Sequence, residues 1–379
     1  MDQKDMFSMK SVTVISTAPL IQTDEGLFMY KPYETEMQMW ARNTDNIIFC
    51  CPVWKEDRNL LKSEVSFKIA KTIELVEFDI KSFKYLPKVI RAVFSNFFRI
   101  FKVMQAADHI HLRCPGNVGL IACMVQVFFP KKKKTVKYAG NWDLKAKQPW
   151  SYRLQKWILN NTFLTKNMQV LVYGEWEGSS KNIKPFFTAT YSELEKEAVS
   201  PRNLNEGFRF IFVGLLTEGK RPLYAVQLVD GLLKLGVNAS LHLYGEGVQR
   251  SLLESYIATH HLEKYIQLEG NQPKEVVGEA YKKSHFLVLA SKSEGWPKAV
   301  AEAMFWGCLP VATAVSCVKN MLDSGNRGIL LSMDLEKDIQ AILWHINHSE
   351  AYQEKSDKAL SWSQDYTIEK FESEIKKLL

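Results

Sequence analysis

The chain has 379 residues, of which 46% are hydrophobic and 24% are charged. This composition is typical of a globular protein, and the length predicts two domains because single cores rarely grow so large. No run of about 18 apolar residues is present, which argues against a membrane-spanning helix. The polar, acidic start of the chain lacks the apolar segment of a secretory signal. The six cysteines form no CxxC pair, which argues against a zinc or disulfide scaffold and favours reduced thiols in the cytoplasm.

The net charge of +7 is unevenly distributed along the chain. Residues 1–190 carry 28 Lys and Arg against 17 Asp and Glu, whereas the remaining residues carry 21 and 25. The first half is therefore predicted to meet an anionic surface. A membrane is favoured and no nucleic acid partner is expected, because no helix-turn-helix, RRM-like or zinc-finger pattern accompanies the charge.

Strand-length apolar runs alternate with helical patterns throughout the chain. This alternation predicts an α/β fold with two Rossmann-like, doubly wound parallel-sheet domains. The N-terminal domain is predicted at residues 1–185 and a polar linker at 186–207. The second domain is predicted at 208–358, followed by an amphipathic helix at 359–379.

Two segments of the first half supply much of its positive charge. Residues 81–104 predict a basic amphipathic helix, which fits both a core helix with a solvated basic face and a membrane-surface helix. Residues 131–134 are four lysines, which fit a solvated loop before a strand or an attraction to anionic lipids. The membrane reading predicts a peripheral location on the inner face of the membrane. The candidate membrane-surface residues are Lys84, Lys88, Arg91, Lys131, Lys132, Lys133 and Lys134.

In the second half, small residues follow three predicted strands. They are Gly214, the pair Gly245 and Gly247, and Ser291. Open α/β sheets bind ligands at the carboxyl ends of their strands, where a glycine lets the backbone approach the ligand. The next helix then offers free N–H groups to a phosphate.

Residues 291–307 combine two carboxylates with a helix start. Pro297 suits the first helical position and Gly307 the stop, so Glu302 lies about 7.5 Å along the helix axis and Glu294 in the preceding loop. Carboxylates accept hydrogen bonds from hydroxyl pairs, and the helix start attracts phosphate. The alternative is that Glu294 only caps the helix and that Glu302 is solvated. The apolar neighbours of Glu302 favour a ligand.

A cationic pair, Lys220 and Arg221, precedes Pro222 and a helical pattern. Lys would act on a diphosphate as a point charge and Arg as a fork. A solvated loop pair is the alternative.

These motifs together resemble the donor-binding domain of GT-B fold, family-4 type retaining glycosyltransferases. The resemblance covers about a third of the chain. The matching stretches are FVGLLTEGK at 212–220, LHLYGEG at 241–247, the E-x7-E element from Glu294 to Glu302, and residues 325–331.

The resemblance implies a role for each matching residue. Glu294 would hydrogen-bond hydroxyls of the transferred sugar, Glu302 the nucleotide ribose, and Lys220 the diphosphate. The family often has an arginine where this chain has Leu215, and Arg221 would compensate for it. The backbone that would face the sugar or phosphates belongs to Gly295, Trp296 and Pro297.

Residues 108–113 resemble the strand that usually ends in an H-x-H pair near the reacting sugar. His111 occupies the first position and Arg113 the second. His111 would either hydrogen-bond the sugar or serve as a structural strand-end histidine. Arg113 would stabilise a phosphate or an acidic acceptor.

The expected activity is that of a retaining, metal-independent glycosyltransferase. It would move a sugar from a nucleotide-sugar donor to a lipid-linked or polysaccharide acceptor in surface polysaccharide biosynthesis, with no cofactor besides this co-substrate. A degenerate sugar-nucleotide-binding or scaffold protein is one alternative, supported by Leu215 and Arg113. A GT-B fold sugar-nucleotide epimerase is another, which would release free nucleotide without an acceptor.

Overall fold

The computed structural model describes residues 11–58, 60–78 and 86–379. The chain divides into two compact units, one of Met1–Phe186 with Glu372–Leu379 and one of Phe187–Phe371. Each unit contains a parallel sheet with helices, which confirms the predicted fold of two Rossmann-like domains.

The first unit is built on a seven-stranded parallel sheet in the order β11-β10-β9-β8-β1-β4-β7. Two central strands, HIHLRC and KKTVKY, mix apolar with polar residues, and most of their side chains are nevertheless buried, as expected for a sheet covered on both faces. The strands of this sheet are β1 (Ser11–Ile15), β4 (Asn46–Cys51), β7 (Lys71–Glu74), β8 (His109–Cys114), β9 (Lys133–Tyr138), β10 (Met168–Tyr173) and β11 (Ile183–Phe186).

A small second sheet in this unit was not predicted. It has the order β5-β2-β3-β6, and its β2 and β3 form an antiparallel hairpin across residues 24 and 25. Its strands are β2 (Leu20–Thr23), β3 (Gly26–Tyr30), β5 (Val53–Trp54) and β6 (Lys62–Glu64). Strands this short give too little periodicity to be recognised from the sequence.

Three helices of the first unit form one layer on the large sheet. They are α2 (Leu86–Ala106), α3 (Asn117–Val125) and α4 (Trp150–Asn160), and α3 packs between the other two. Ile110 and Leu112 of β8 face their shared apolar core. Because side chains alternate along a strand, His111 points to the opposite face, where it meets Trp40 of α1 (Lys31–Arg42).

The second unit has a six-stranded parallel sheet in the order β14-β13-β12-β15-β16-β17. The chain winds outward from β12 to β14 and then returns to place β15 on the other side of β12. Its strands are β12 (Phe208–Val213), β13 (Ala239–Tyr244), β14 (Ile266–Gly270), β15 (Phe286–Leu289), β16 (Leu309–Thr313) and β17 (Ile329–Leu331). Its helices are α5 (Pro222–Lys234), α6 (Arg250–Thr259), α7 (Lys274–Lys283), α8 (Lys298–Phe305), α9 (Val318–Met321), α10 (Leu335–Asn347) and α11 (Ser349–Gln364).

The segments outside the two predicted domains differ from expectation. The helix expected over 359–379 is two helices, because α11 ends at Gln364 and α12 (Ile368–Leu378) follows. Part of the polar segment expected as a linker packs on the second unit, where Tyr191 is buried and stacks on Phe305 at 4.7 Å. Within the described residues, no helix has the length and apolar character needed to cross a membrane.

Candidate functional site

The point where the strand order reverses lies between β12 and β15 of the second unit. Loops leave the carboxyl ends of both strands there, which is where open α/β sheets bind ligands. Residues 214–221 follow β12, and residues 290–297 follow β15. The Lys292 amide donates to the Gly219 carbonyl at 2.8 Å, which joins the two loops. The predicted donor residues therefore gather around one crevice.

Gly245 supports this crevice through close backbone contact. Its φ is +135°, and a Cβ built on it would lie 2.0 Å from the carbonyl oxygen of Gly214. The Gly214 amide also donates to the Tyr244 carbonyl at 2.9 Å. Only a glycine fits this position, so the loops after β12 and β13 hold each other in place.

We expect Gly245→Ala to destabilise the second unit and weaken donor binding. The added methyl group must displace the loop at Gly214, which costs about 2 kcal/mol of unfolding free energy beyond the cost of the positive φ. Gly236→Ala is the matched control, because its φ is +80° and no atom lies within 4 Å of the added Cβ. Urea unfolding of both variants measures the difference, and equal losses would contradict the close contact.

Lys220 and Glu294 form an ion pair in the crevice. The Lys220 Nζ donates to the Glu294 Oε1 at 2.5 Å, and the Glu294 side chain is 7% exposed. The Glu294 amide donates to the Ser316 hydroxyl at 3.0 Å, which fixes the carboxylate's backbone. The structure thus brings together Lys220, the residue predicted to bind the diphosphate, and Glu294, the residue predicted to bind the sugar.

The loop carrying Gly295 and Trp296 is held from two sides. The Cys317 thiol donates to the Gly295 carbonyl at 3.0 Å. The Trp296 ring lies 6.2 Å from Trp362 and 6.0 Å from Tyr366, within an aromatic cluster of the second unit. The Trp296 side chain therefore supports the loop, and the Trp296 backbone lies just before the start of α8.

The start of α8 differs from the prediction by one residue. Pro297 caps the helix, and Lys298 is the first helical residue. Gly307 has a φ of +68° just beyond the helix, as the predicted stop requires. The free N–H groups of the first turn therefore follow Glu294 and Gly295 directly.

Glu302 is partly buried near the end of α8. The Thr190 hydroxyl donates to its Oε1 at 2.9 Å, and the Tyr281 hydroxyl lies 3.5 Å from its Oε2. Burial raises the pKa of Glu302 above the ordinary value of a glutamate, although Thr190 and the nearby lysines oppose this effect. Because burial makes the charged form of Glu302 less stable, hydrogen bonds donated by two hydroxyl groups of a ligand would stabilise that charged form.

Arg221 occupies a strained backbone position at the end of the first loop. Its φ is +51°, it caps α5, and its Nη1 lies 3.4 Å from the Ala290 carbonyl. The side chain therefore reaches the loop after β15. The exposed Leu215 occupies the position where the resembled family often has arginine.

In the first unit, His111 lies inside the fold. Its side chain is fully buried, its Nδ1 lies 2.8 Å from the Thr135 hydroxyl, and its ring centroid lies 4.2 Å from that of Trp40. Burial and the charge of Arg113 lower its pKa well below the ordinary range, so the ring is neutral at physiological pH. These contacts support the structural alternative, and a hydrogen bond from His111 to the sugar stays a prediction.

Arg113 belongs to a buried ion cluster that the sequence did not predict. Its guanidinium donates to Glu36 Oε1, and Lys137 Nζ donates to Glu36 Oε2 at 2.9 Å. The Arg113 guanidinium also lies 5.0 Å from the Tyr33 ring centroid. Two cations share one carboxylate, so the cluster keeps a net positive charge at the end of β8. A role for Arg113 toward an anionic substrate stays a prediction.

The same cluster predicts an acid-sensitive fold of the first unit. Arg113 and Lys137 hold the pKa of Glu36 at about 2, against the opposing effect of burial. The pKa of Glu36 is lower in the folded protein than in the unfolded chain, where it is near 4.3, so the charged carboxylate stabilises the fold above that pH. This contribution to the unfolding free energy, about 3 kcal/mol, is lost as the pH falls toward 2. Glu36→Gln should flatten this part of the pH profile of unfolding. An unchanged profile would contradict the assignment.

The basic residues predicted to face a membrane differ in their exposure. Lys88, Arg91, Lys131 and Lys133 are exposed, whereas Lys84 lies outside the described residues. Lys132 is only partly exposed, and Lys134 is buried.

Two of the four consecutive lysines act within the fold. Lys132 is partly buried, and its Nζ donates to the Ala107 carbonyl at 2.6 Å. Lys134 is 1% exposed, and its Nζ donates to the Phe129 carbonyl at 2.8 Å. Burial lowers the pKa of Lys134 to about 8. Lys134 therefore does not belong to a membrane-facing surface.

The structure adds three residues to the candidate donor site. Thr190 and Tyr281 contact Glu302, and Ser316 accepts the hydrogen bond from the Glu294 amide. No sequence pattern distinguishes them, because each lies in a segment far along the chain from its partner.

Comparison with known proteins agrees with this geometry. Residues 195–361 match the family Glycosyl transferases group 1. An uncharacterised glycosyltransferase of Methanocaldococcus jannaschii is 25% identical over 201 residues, which are 52% of this chain and 54% of that protein. The lipopolysaccharide 1,6-galactosyltransferase of Escherichia coli is 32% identical over 132 residues, which are 34% of this chain and 36% of that protein. The chain thus matches about half or less of the length of these curated relatives.

Two solved structures share the fold over nearly the whole chain. The apo form of the lipopolysaccharide outer core galactosyltransferase WaaB has a TM-score of 0.68 at 17% identity and covers 98% of this chain and 99% of that one. Anabaena HepE in complex with UDP has a TM-score of 0.67 at 13% identity, with coverage of 97% and 99%. Residues 195–361 are therefore similar to the family Glycosyl transferases group 1, and the chain has the GT-B fold.

Proposed function

We propose that this protein is a retaining glycosyltransferase. It transfers a sugar from a nucleoside diphosphate sugar to a polysaccharide or lipid-linked acceptor at an anionic membrane surface, in surface polysaccharide biosynthesis. One observation carries the proposal: at the strand-order reversal, Lys220 of the loop after β12 pairs with Glu294 of the loop after β15, and Glu302 lies on α8, which follows that second loop. The names of two neighbours add support, since one was solved with UDP and the other is a galactosyltransferase.

The chemistry assigned to these residues follows from their charges. The bond between the anomeric carbon and the diphosphate oxygen breaks, a bond from that carbon to the oxygen of an acceptor hydroxyl forms, and the proton of that hydroxyl passes to the departing diphosphate. Lys220 and the N–H groups at the start of α8 stabilise the negative charge that develops on the diphosphate. Glu294 accepts a hydrogen bond from a sugar hydroxyl, and Glu302 accepts hydrogen bonds from the ribose. The proposed reaction uses no metal or further cofactor.

The first test is a thermal-shift screen against UDP, GDP, ADP, TDP and their common sugar conjugates. A ligand at 100 times its Kd stabilises the folded state by about 2.7 kcal/mol. We expect one nucleotide class to raise the Tm selectively, and Glu302→Ala to abolish that shift. No shift with any nucleotide would overturn donor binding.

A second measurement separates transfer from its alternatives. The protein is incubated with the selected donor, with and without saccharide acceptors, and free nucleotide is measured. A transferase releases nucleotide in proportion to glycosylated acceptor. Stoichiometric nucleotide release without acceptor would favour an epimerase, and donor binding without turnover on any acceptor would favour a non-catalytic binding protein.

A further inference from the structure

The outer surface of the α2–α3–α4 layer is unusually apolar. Nine of the twelve large hydrophobic side chains that are exposed in the described part of the first unit lie on this layer or its loops. They are Ile90, Phe94, Phe98, Met124, Phe128, Leu144, Trp150, Trp157 and Phe163. We call this set the aromatic face. Monomeric proteins rarely expose large apolar patches without a binding role.

Helix α2 shows why these side chains are exposed. Its inner side is complete without them, because Asn96 and Ile100 are fully buried and Asn96 hydrogen-bonds the backbone of Val76. Ile90, Phe94 and Phe98 follow one another at four-residue spacing on the outer side, and both phenylalanines are 61% exposed. The helix is therefore apolar on two sides, and only one side is used by the fold.

The neighbouring elements extend the same surface. Phe128 is 63% exposed and lies beside α2, with its ring centroid 6.1 Å from that of Phe101. On α4, Trp150 and Trp157 are exposed seven residues apart, with the exposed Arg153 between them. Because α3 packs between α2 and α4, the three helices form one continuous layer.

The charge around the aromatic face is strongly positive. Residues 86–174 contain fifteen Lys and Arg and only two acids, Asp108 and Asp143. Arg91, Lys102 and Lys131 are exposed next to the aromatic residues along the chain. Lysines also line a groove of about 770 Å³ at the amino ends of β9 and β10, with Lys166, Lys181 and Lys184 among them.

We propose that the aromatic face is the surface that docks this protein on an anionic lipid bilayer. Aromatic rings favour the interface between headgroups and acyl chains, and exposed basic residues are attracted to anionic headgroups. This inference rests on the membrane association in the proposed function. It assigns the contact to aromatic side chains on three helices and their loops, whereas the sequence pattern indicated basic residues of 81–104 and 131–134.

The test is co-sedimentation of the full chain with vesicles of phosphatidylcholine, with and without phosphatidylglycerol. No donor or acceptor is present, so binding is measured independently of glycosyl transfer. We expect the protein to bind the anionic vesicles preferentially. The variant Phe94→Ser/Phe98→Ser should lower the vesicle partition coefficient at least about tenfold, and Trp157→Ser should lower it in the same direction. The control Leu194→Ser/Val248→Ser removes two side chains that are 94% and 89% exposed in the second unit and should bind normally.

Charge is tested separately. Arg91→Gln/Lys102→Gln/Lys131→Gln should lower binding to anionic vesicles about fivefold for each charge removed, with little effect on neutral vesicles. The control Lys264→Gln/Lys283→Gln/Lys319→Gln removes the same charge from exposed positions of the second unit and should have little effect.

Each contrary outcome has a distinct meaning. Normal binding by both aromatic variants, with loss only in the charge variant, overturns the aromatic face but keeps membrane association. Absence of vesicle binding by the wild-type protein overturns both. Light scattering tests whether a second copy of the chain covers this face instead. If the wild-type protein is a dimer, and Phe94→Ser/Phe98→Ser dissociates it without changing vesicle binding, the face belongs to a second copy and the proposal is overturned. Transfer to a soluble acceptor should be unchanged in the aromatic variants.

Discussion

Glu302→Ala is expected to weaken donor binding at least about 100-fold and to reduce transfer by a similar factor. The substitution removes both oxygens that would accept hydrogen bonds from the ribose, and each such bond to a charged group is worth about 1.5–3 kcal/mol. Calorimetric titration with the nucleotide selected in the thermal-shift screen measures the loss in affinity, and initial rates measure the loss in transfer.

The unfolding free energy of a second variant, Glu302→Gln, should not fall together with its donor affinity. Burial raises the pKa of Glu302, which means that holding the charged carboxylate costs folding free energy at neutral pH. Glu302→Gln should therefore keep or raise the unfolding free energy while it weakens donor binding. Loss of affinity together with gross unfolding would point to a structural role instead.

The pH dependence gives an independent check on Glu302. Because the pKa of Glu302 is raised, its carboxylate takes up a proton at a higher pH than an ordinary glutamate, whose pKa is near 4.3. Donor affinity should fall as the pH decreases through that raised pKa, and Glu302→Gln should remove this component. Glu275→Ala, at an exposed site on α7, is the control for a general effect of charge and should bind donor normally.

Lys220→Ala is expected to lower kcat by about 100- to 1,000-fold. Lys220 is the cation of the crevice that would meet the leaving diphosphate, and removing one preorganised donor to a developing negative charge costs about 2.7–4 kcal/mol of transition-state stabilisation. Single-turnover rates at saturating donor measure this effect separately from donor affinity.

A neighbouring lysine provides the matched control for Lys220. Lys292 lies in the loop after β15 and pairs with the exposed Glu218, whereas Lys220 pairs with the buried Glu294. Lys292→Ala should therefore keep normal turnover. Because Lys220→Ala leaves a buried carboxylate without its ion-pair partner, urea unfolding must accompany the kinetics. Near-normal kcat in a folded Lys220→Ala protein would remove Lys220 from the proposed mechanism.

The candidate donor site was predictable because its residues follow strand ends in consecutive units of one sheet. In a parallel sheet the carboxyl ends of all strands lie at one edge, so Gly214, Gly245 and Glu294 had to come together once the strands were recognised. The sequence pattern also placed Glu302 on the following helix. These assignments need only local patterns and a general rule of topology.

The first unit shows what local patterns leave undecided. The pattern around His111 and Arg113 suggested two residues near the reacting sugar, yet His111 is buried against Trp40 and Thr135. Arg113 pairs with Glu36, which lies 77 residues earlier in the chain. Whether a polar residue on a strand faces a substrate or the interior depends on what packs on that face of the sheet.

The sequence by itself therefore determined the fold class, the two parallel sheets and the main residues that gather at the candidate donor crevice, since periodicity and loop motifs are local. Only the tertiary structure decided which charges are available to a ligand. It placed Lys134 against main-chain carbonyls, gave Glu302 its partner Thr190, and left Phe94 and Phe98 uncovered. Burial and hydrogen-bond partners come from segments distant along the chain, and they set both the charge state and the exposure of each side chain.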